Sequence, residues 1–404
     1  MLEKIIRVNG SKSEINRILL ISTFLEKELK INNFSDCEDV ETLLSNLISL
    51  GFNFKRNRGN SITIIPNKLK SGKLYIKDSG TALRFIISRL AVCENEEFIL
   101  DCSEQLKKRP HEILITSLKQ LGAELDNNFP MKITGKKLTG GMINVQGNIS
   151  SQFISSLLLL APAFEGGLEI VLNDKIVSKS YIDLTIALMG KFGVSVEWNK
   201  NKIIVPKNSK YKNLREYFVE PDYSTLSYFW LLAVILKKNI VTQGNPQNSL
   251  QADSKFIHIL ERFGAKVKYQ EDSLIINCDK ILGGNADMID MPDQVISLVI
   301  LALFAETPIS ISGVEHLKFK ESDRITNLVN ELSKLTKIKY ENEILTVFPI
   351  KKIPQDEIML RTYNDHRFVM AFSVLQKKFE WIKLDNIDAV KKSAPEFWNE
   401  LKKI

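Results

Sequence analysis

Residues 260–269 read LERFGAKVKY. A helix is expected to end at Gly264, where glycine supplies the left-handed conformation that a helix C-terminus needs. A strand should follow, because apolar and charged residues alternate from Ala265 to Tyr269. The same pattern returns as LISLGFNFKR (47–56), LKQLGAELDN (118–127), MGKFGVSVEW (189–198) and LSKLTKIKYE (332–341). The turn positions Gly51, Gly122, Gly193, Gly264 and Thr336 are 71, 71, 71 and 72 residues apart. So regular a period marks an internally repeated helix, turn and strand.

A second marker keeps the same step. Polar residues open long apolar runs at Ser79, Ser150, Asp222, Asp293 and Asp365, spaced by 71, 72, 71 and 72, and Ser11 begins a further copy 68 residues before Ser79. Ser and Asp are N-cap residues, and runs apolar nearly all round belong to buried helices. Six buried helices imply two bundles of three, with strands on the outside. The first helix opens about ten residues in and the fourth opens after Val219-Glu220-Pro221. Domain crossings are therefore expected near 10 and 220, giving one domain of residues 11–219 and a discontinuous one of 1–10 plus 220–404. A cleft between two such domains is a natural ligand site, and ligand-driven closure is expected of it.

With 404 residues and 44% hydrophobic content, the chain can build two sizeable cores. The longest apolar runs, 157–164 and 296–305, fall short of the ~20 residues a bilayer span requires. Charged and polar residues run through the first seventeen positions, so no signal peptide is read and a cytoplasmic protein is expected. Four cysteines without a C-x-x-C pair and four histidines without ligand spacing point to neither disulfides nor a metal site. The net charge of +7 comes from scattered lysines, not from a basic block, so neither nucleic acid nor a membrane surface is expected as partner.

Helix N-termini carry unpaired N–H groups and partial positive charge, which makes them anion sites. Lys12, Ser13 and Arg17, then Gly80, Thr81 and Arg84, then Ser150, Ser151 and Gln152 place further donors at three successive openings. Such sets suit phosphate and carboxylate oxygens. Capping alone accounts for any one serine; the recurrence is what points to a ligand. In LKKRPHEIL (106–114), Arg109 precedes a proline placed as the first residue of a helix. SKSYID (178–183) combines Ser178, Lys179 and Tyr181 ahead of another helix. In KFKESDRITNLVNEL (318–332), one helical turn would bring Lys320, Glu321 and Arg324 together. YNDHR (363–367) packs acid, imidazole and guanidinium into the mouth of an apolar helix, a costly place for charge without a ligand.

In this order and spacing, GSKSEINR, DSGTALR, SSQF, SKSYID, PD before an apolar helix, KESDR and YNDHR resemble the 5-enolpyruvylshikimate-3-phosphate synthase (3-phosphoshikimate 1-carboxyvinyltransferase) family. The resemblance runs from Gly10 to the KKSAPEFW segment (391–398). The fold it implies is α/β: a two-domain inside-out α/β barrel of six βαβαββ-type repeats, helices buried and sheets outside. The activity it implies is enolpyruvyl transfer from phosphoenolpyruvate to the 5-hydroxyl of shikimate 3-phosphate, with neither metal nor organic cofactor, in a monomer.

By the same resemblance, Lys12, Ser13, Arg17, Ser150, Ser151, Gln152, Ser178, Tyr181, Asp293, His316 and Lys320 would hold shikimate 3-phosphate. Lys12, Gly80, Arg109, Gln152, Arg324, His366, Arg367 and Lys392 would hold phosphoenolpyruvate. Asp293 resembles the family's proton acceptor and Glu321 its proton donor, with Lys12 beside them as a catalytic cation. Three positions depart from the family pattern: Asp78 and His316 stand where Asn is usual, and Ser180 stands for Pro.

Two other readings compete. UDP-N-acetylglucosamine enolpyruvyl transferase shares fold and donor but carries a reactive Cys in the loop before an Arg-Pro pair; Cys102, seven residues before Arg109, fits that loop poorly and reads as a small buried residue at a strand end. A nucleic-acid-binding protein or an inactive repeat scaffold would leave Asp293, Glu321 and His366 unexplained among the cations, since carboxylates repel phosphate backbones.

Overall fold

The computed structural model describes residues 5–174, 176–352 and 356–404. Two compact units emerge, Gly10–Val219 and the discontinuous Met1–Asn9 with Glu220–Ile404. Helices and strands are mixed throughout both.

In the N-terminal unit the central helices are Lys12–Ser22, Gly80–Ala91 and Ser151–Leu160. Gln152 alone of the Ser151–Leu160 helix escapes burial, and each fully buried leucine there contributes about 2 kcal/mol. The polar residues inside are matched to one another. Ser88 and Ser156 share a 2.6 Å hydrogen bond, and Ser156 also donates to the Arg84 carbonyl at 2.7 Å, so two helices pack closely without leaving a buried hydroxyl unmatched. Flanking strands bury alternate residues, as in Glu97–Cys102, leaving one face against the helices and one in water.

The sheets repeat a single plan. Gly72–Ile76 runs parallel to Glu97–Cys102, which pairs antiparallel with Met131–Thr134, which pairs antiparallel with Glu124–Leu125. Gly141–Val145, Leu168–Leu172, Lys202–Val205 and Glu197–Asn199 follow the same order. In the first repeat the leading parallel strand is Glu216–Phe218, from the far end of the unit, laid beside Leu29–Asn32. The fourth repeat takes its leading strand from Ile5–Ile6, parallel to Ile240–Gln243. Each unit thus closes its first repeat with a strand distant in sequence.

The discontinuous unit centres on helices Tyr223–Leu236, Val295–Ala302 and His366–Lys378. Its last repeat is abbreviated: among the described residues its sheet has two strands, Ile358–Leu360 and Ile382–Leu384. Gly51, Gly122, Gly193 and Gly264 all adopt positive φ, between 81° and 104°, as their place at helix ends requires.

Three expectations need correction. Asp293 is not at an N-cap position: it lies inside the 3-10 turn Pro292–Gln294 ahead of Val295–Ala302, and its carboxylate meets Arg324 and Arg367. Pro110 precedes its helix, which begins at Glu112 after the N-cap His111. Lys320 and Glu321 come before the Arg324–Leu332 helix, so a turn, not a helical face, joins them to Arg324.

Candidate active site

In the N-terminal unit, Lys12 is the first residue of its helix and its Nζ lies 2.8 Å from Asp39. Five positions on, Arg17 is almost wholly buried. Its guanidinium donates to Thr185 Oγ1 at 2.7 Å, the Ser13 carbonyl at 2.8 Å and the Tyr181 carbonyl at 3.1 Å. Burial lowers its pKa to about 10, with Tyr181 and Glu14 opposing, so it stays a cation. Asp39, Ser155 and Thr185, which hold Lys12 and Arg17, have no sequence signal: they lie 27 to 168 residues from their partners.

The opening of Gly80–Ala91 is the clearest anion cradle. A Cβ built on Gly80 would stand 2.8 Å from Arg109 Nη1 and 3.1 Å from Arg84 Nη1. Two guanidinium groups therefore converge on a helix N-terminus, an arrangement whose mutual repulsion an anion would relieve. Arg84 is fixed by Gln152 Oε1 and by the Pro110 carbonyl at 3.1 Å, and it lies over the Phe153 ring. Burial and then Arg84 push the nearby His111 down to about 4, so that ring adds no charge. Asp78 accepts a hydrogen bond from the Ser103 hydroxyl.

Ser150 caps Ser151–Leu160 by accepting from Gln152 N at 3.3 Å. Ser178 opens Lys179–Lys191 in a left-handed conformation, φ 55°, and Ser180 and Tyr181 fall in that helix's first turn.

The discontinuous unit gathers charge at a single point. Arg324, 1% exposed, meets Asp365 Oδ2 at 2.9 Å, Asp293 Oδ1 at 2.8 Å and Glu321 Oε2 at 2.9 Å. Asp293 Oδ2 also takes Arg367 Nη2 at 2.9 Å. One carboxylate therefore bridges two guanidiniums. Burial raises the Asp293 pKa, but Arg367, Lys320 and Arg324 together outweigh it and hold the carboxyl well below its usual range. Burial likewise works against the charge on Arg324, yet Asp365, Glu321 and Asp293 raise its pKa further.

His316 sits beside this group. Burial, then Lys320, drives its pKa down to about 3; it is a neutral ring whose two nitrogens have no partner among the described residues. Such a buried ring is suited to a ligand's hydroxyl. His366 is buried behind Asp365, with 3.7 Å between Nδ1 and Oδ1. Lys392 ends the Asp388–Lys392 turn, which packs on the His366–Lys378 helix.

The fold thus assembles Asp293, His316, Lys320, Glu321, Arg324 and Arg367 in one unit. In the other it assembles Gly80, Arg84, Arg109 and Gln152 at one helix mouth, and Ser13, Arg17 and Tyr181 at another. Sequence reasoning missed Asp253, 1% exposed, whose carboxylate accepts from Ser224 close to Asp293 and Arg367. No motif marks it. Among the described residues no three His, Cys, Asp or Glu stand together as a metal site would need.

Two mixed α/β units whose helix mouths concentrate guanidinium, carboxylate and neutral imidazole are suited to small, multiply charged anions. Comparison with known proteins narrows the class. The family model for EPSP synthase (3-phosphoshikimate 1-carboxyvinyltransferase) matches residues 1–401. A 3-phosphoshikimate 1-carboxyvinyltransferase of Buchnera aphidicola subsp. Cinara cedri (strain Cc) is 34% identical over 409 residues, covering 97% of this chain and 93% of its own. That of Histophilus somni (strain 2336) is 31% identical, covering 99% and 96%. The EPSP synthase structure from Acinetobacter baumannii superposes with a TM-score of 0.78 at 22% identity, over 99% of this chain and 95% of that one. The chain belongs to the EPSP synthase family.

Proposed function

We propose that this chain transfers the enolpyruvyl group of phosphoenolpyruvate to the 5-hydroxyl of shikimate 3-phosphate, a step of the shikimate pathway, with the residue roles given below. The reaction follows from family membership. The observation that supports the roles is the Asp293 carboxylate bridging Arg324 and Arg367 beside Glu321.

Asp293 accepts the proton of the attacking 5-hydroxyl as its oxygen bonds to C2 of phosphoenolpyruvate, and Glu321 delivers a proton to the C3 methylene. A tetrahedral intermediate results. Loss of a C3 proton and cleavage of the C2–O bond then release phosphate and restore the double bond. Bridged by two cations, Asp293 is a weak base at rest. Substrate phosphate and carboxylate that engage Arg324 and Arg367 would take those cations from it and strengthen it as a base. Lys12, Arg109, Arg324, Arg367 and Lys392 stabilise the charge that develops on the departing phosphate, with Gly80, Gln152 and His366 completing the phosphoenolpyruvate set.

Shikimate 3-phosphate takes Lys12, Ser13, Arg17, Ser150, Ser151, Gln152, Ser178 and Tyr181 from one unit and Asp293, His316 and Lys320 from the other. Arg17 contributes mainly as a buried cation, because its N–H groups already serve protein acceptors.

Among the described residues no helix is long and apolar enough to cross a membrane. We read the working form as a cytoplasmic monomer, which sedimentation of the purified chain and cell fractionation would check. The deciding assay is phosphate release: it should require phosphoenolpyruvate and shikimate 3-phosphate together. Release supported by UDP-N-acetylglucosamine instead, or none at all, would overturn the reading.

A further inference from the structure

Tyr363 and Asn364 stand consecutively in the left-handed region, with φ of 53° and 55°. A non-glycine residue there is uncommon, and a bulky one more so. Such strain persists only where neighbours over-determine it, and it collects at functional sites. Directly after these two residues come Asp365, which caps the His366–Lys378 helix, and Arg367, which meets Asp293.

Three anchors hold the turn. Thr362 N and Oγ1 each donate to Asp385 Oδ1 at 2.8 Å. Asn386 Nδ2 donates to Asn364 Oδ1 at 3.2 Å. Glu331, 2% exposed, accepts from Arg361 N at 2.9 Å, Tyr363 Oη at 2.6 Å and Lys334 Nζ at 2.5 Å.

The third anchor differs from the others in its origin. Glu331 lies on the Arg324–Leu332 helix, and the first residue of that helix grips Asp365. One nine-residue helix therefore clamps both sides of the strained turn, Glu331 before it and Arg324 after it.

We propose that Glu331 is a positioning residue: by fixing Tyr363 it sets Asp365 and Arg367 relative to Arg324, and with them the spacing of the two guanidiniums that receive phosphoenolpyruvate. The proposal rests on the function given above. The chemistry of the pair supports it. Burial, then Glu331, pushes the Tyr363 phenol up to about 12, so it remains a donor. Burial works against the Glu331 charge, but Lys334, Tyr363 and Arg361 N outweigh it and lower the pKa, so it remains an acceptor.

Tyr363→Phe removes one hydroxyl, and Glu331→Gln keeps the side chain's size. Each should raise KM for phosphoenolpyruvate about tenfold, lower kcat by less than about threefold and leave KM for shikimate 3-phosphate unchanged. The losses should fall short of adding in the double variant, because each single change weakens the shared Tyr363–Glu331 contact. Amide exchange of Asp365 and Arg367, which donate to Thr362 O and Asp365 Oδ1, should quicken about tenfold in Tyr363→Phe while the Gly80–Ala91 helix stays unchanged.

Unchanged exchange in Tyr363→Phe overturns the proposal, as does an equal rise in both KM values or an additive double variant. Should Glu331→Gln not fold, Tyr363→Phe decides alone. Wild-type protein that releases no phosphate overturns the proposed function instead; the exchange measurement needs no substrate and still judges Glu331.

Discussion

A methyl group at position 80 would arrive 2.8 Å from Arg109 Nη1, which must then shift, and 3.1 Å from Arg84 Nη1, a tight contact. Both atoms are the far ends of flexible side chains, so Gly80→Ala should fold normally with its guanidiniums displaced. The loss belongs to anion binding: KM for phosphoenolpyruvate should rise at least about tenfold with little change in thermal midpoint. An unchanged KM would remove Gly80 from the cradle. Asp253 makes a different prediction, one about pH. Burial, then Asp293, pushes its carboxyl up to about 6, against Arg367 and Ser224. In the unfolded chain it ionises near 3.9. Between about pH 4 and pH 6 the folded state keeps a proton that the unfolded state has lost, so stability falls as pH rises through that window. Asp253→Asn should therefore raise the thermal midpoint at pH 8 and leave it unchanged at pH 4; the same shift at both pH values would contradict the assignment.

Helix openings look alike in sequence and behave differently in the fold. Asp222 caps its helix by accepting from Thr225 N at 2.8 Å. Asp365 caps Arg367 N at 2.9 Å and also neutralises the buried Arg324. Asn caps as well as Asp does, so Asp365→Asn keeps the cap, loses the ion pair with buried Arg324 and should cost about 3 kcal/mol, more than Asp222→Asn. Chemical denaturation of the two variants separates these outcomes; equal losses would mean that capping is all Asp365 does. The 71-residue step placed every one of these openings because period and cap chemistry are local properties. It could not tell Asp293, which lies off the N-cap position, from Asp222, because what distinguishes them is a pair of arginines 31 and 74 residues away. For the same reason Asp39, Asp253 and Glu331 went unread: each is defined by a partner on another element. The left-handed Tyr363 and Asn364 were invisible too, since no glycine marks them.

Across the whole molecule, the repeat shows what the discontinuous segment supplies. Each complete repeat begins with a parallel strand, and a linear chain of repeats leaves the first repeat of each unit without one. Glu216–Phe218 fills that place beside Leu29–Asn32, and Ile5–Ile6 fills it beside Ile240–Gln243. Strands of three and two residues are too short for periodicity to reveal, so the strand exchange was not legible in the sequence. The exchange makes Ile6, four residues before Gly10, structurally part of a unit whose remainder starts at Glu220. Ile6 is fully buried, and Ile6→Ala should cost the discontinuous unit about 2–4 kcal/mol. Amide exchange should then quicken in the Tyr223–Leu236 helix, more than 200 residues away in sequence, while the Lys12–Ser22 helix, only six residues away, keeps its protection, because opening spreads within a cooperative unit and not along the chain. The reverse pattern would mean that sequence proximity, not the borrowed strand, determines which unit Ile6 stabilises.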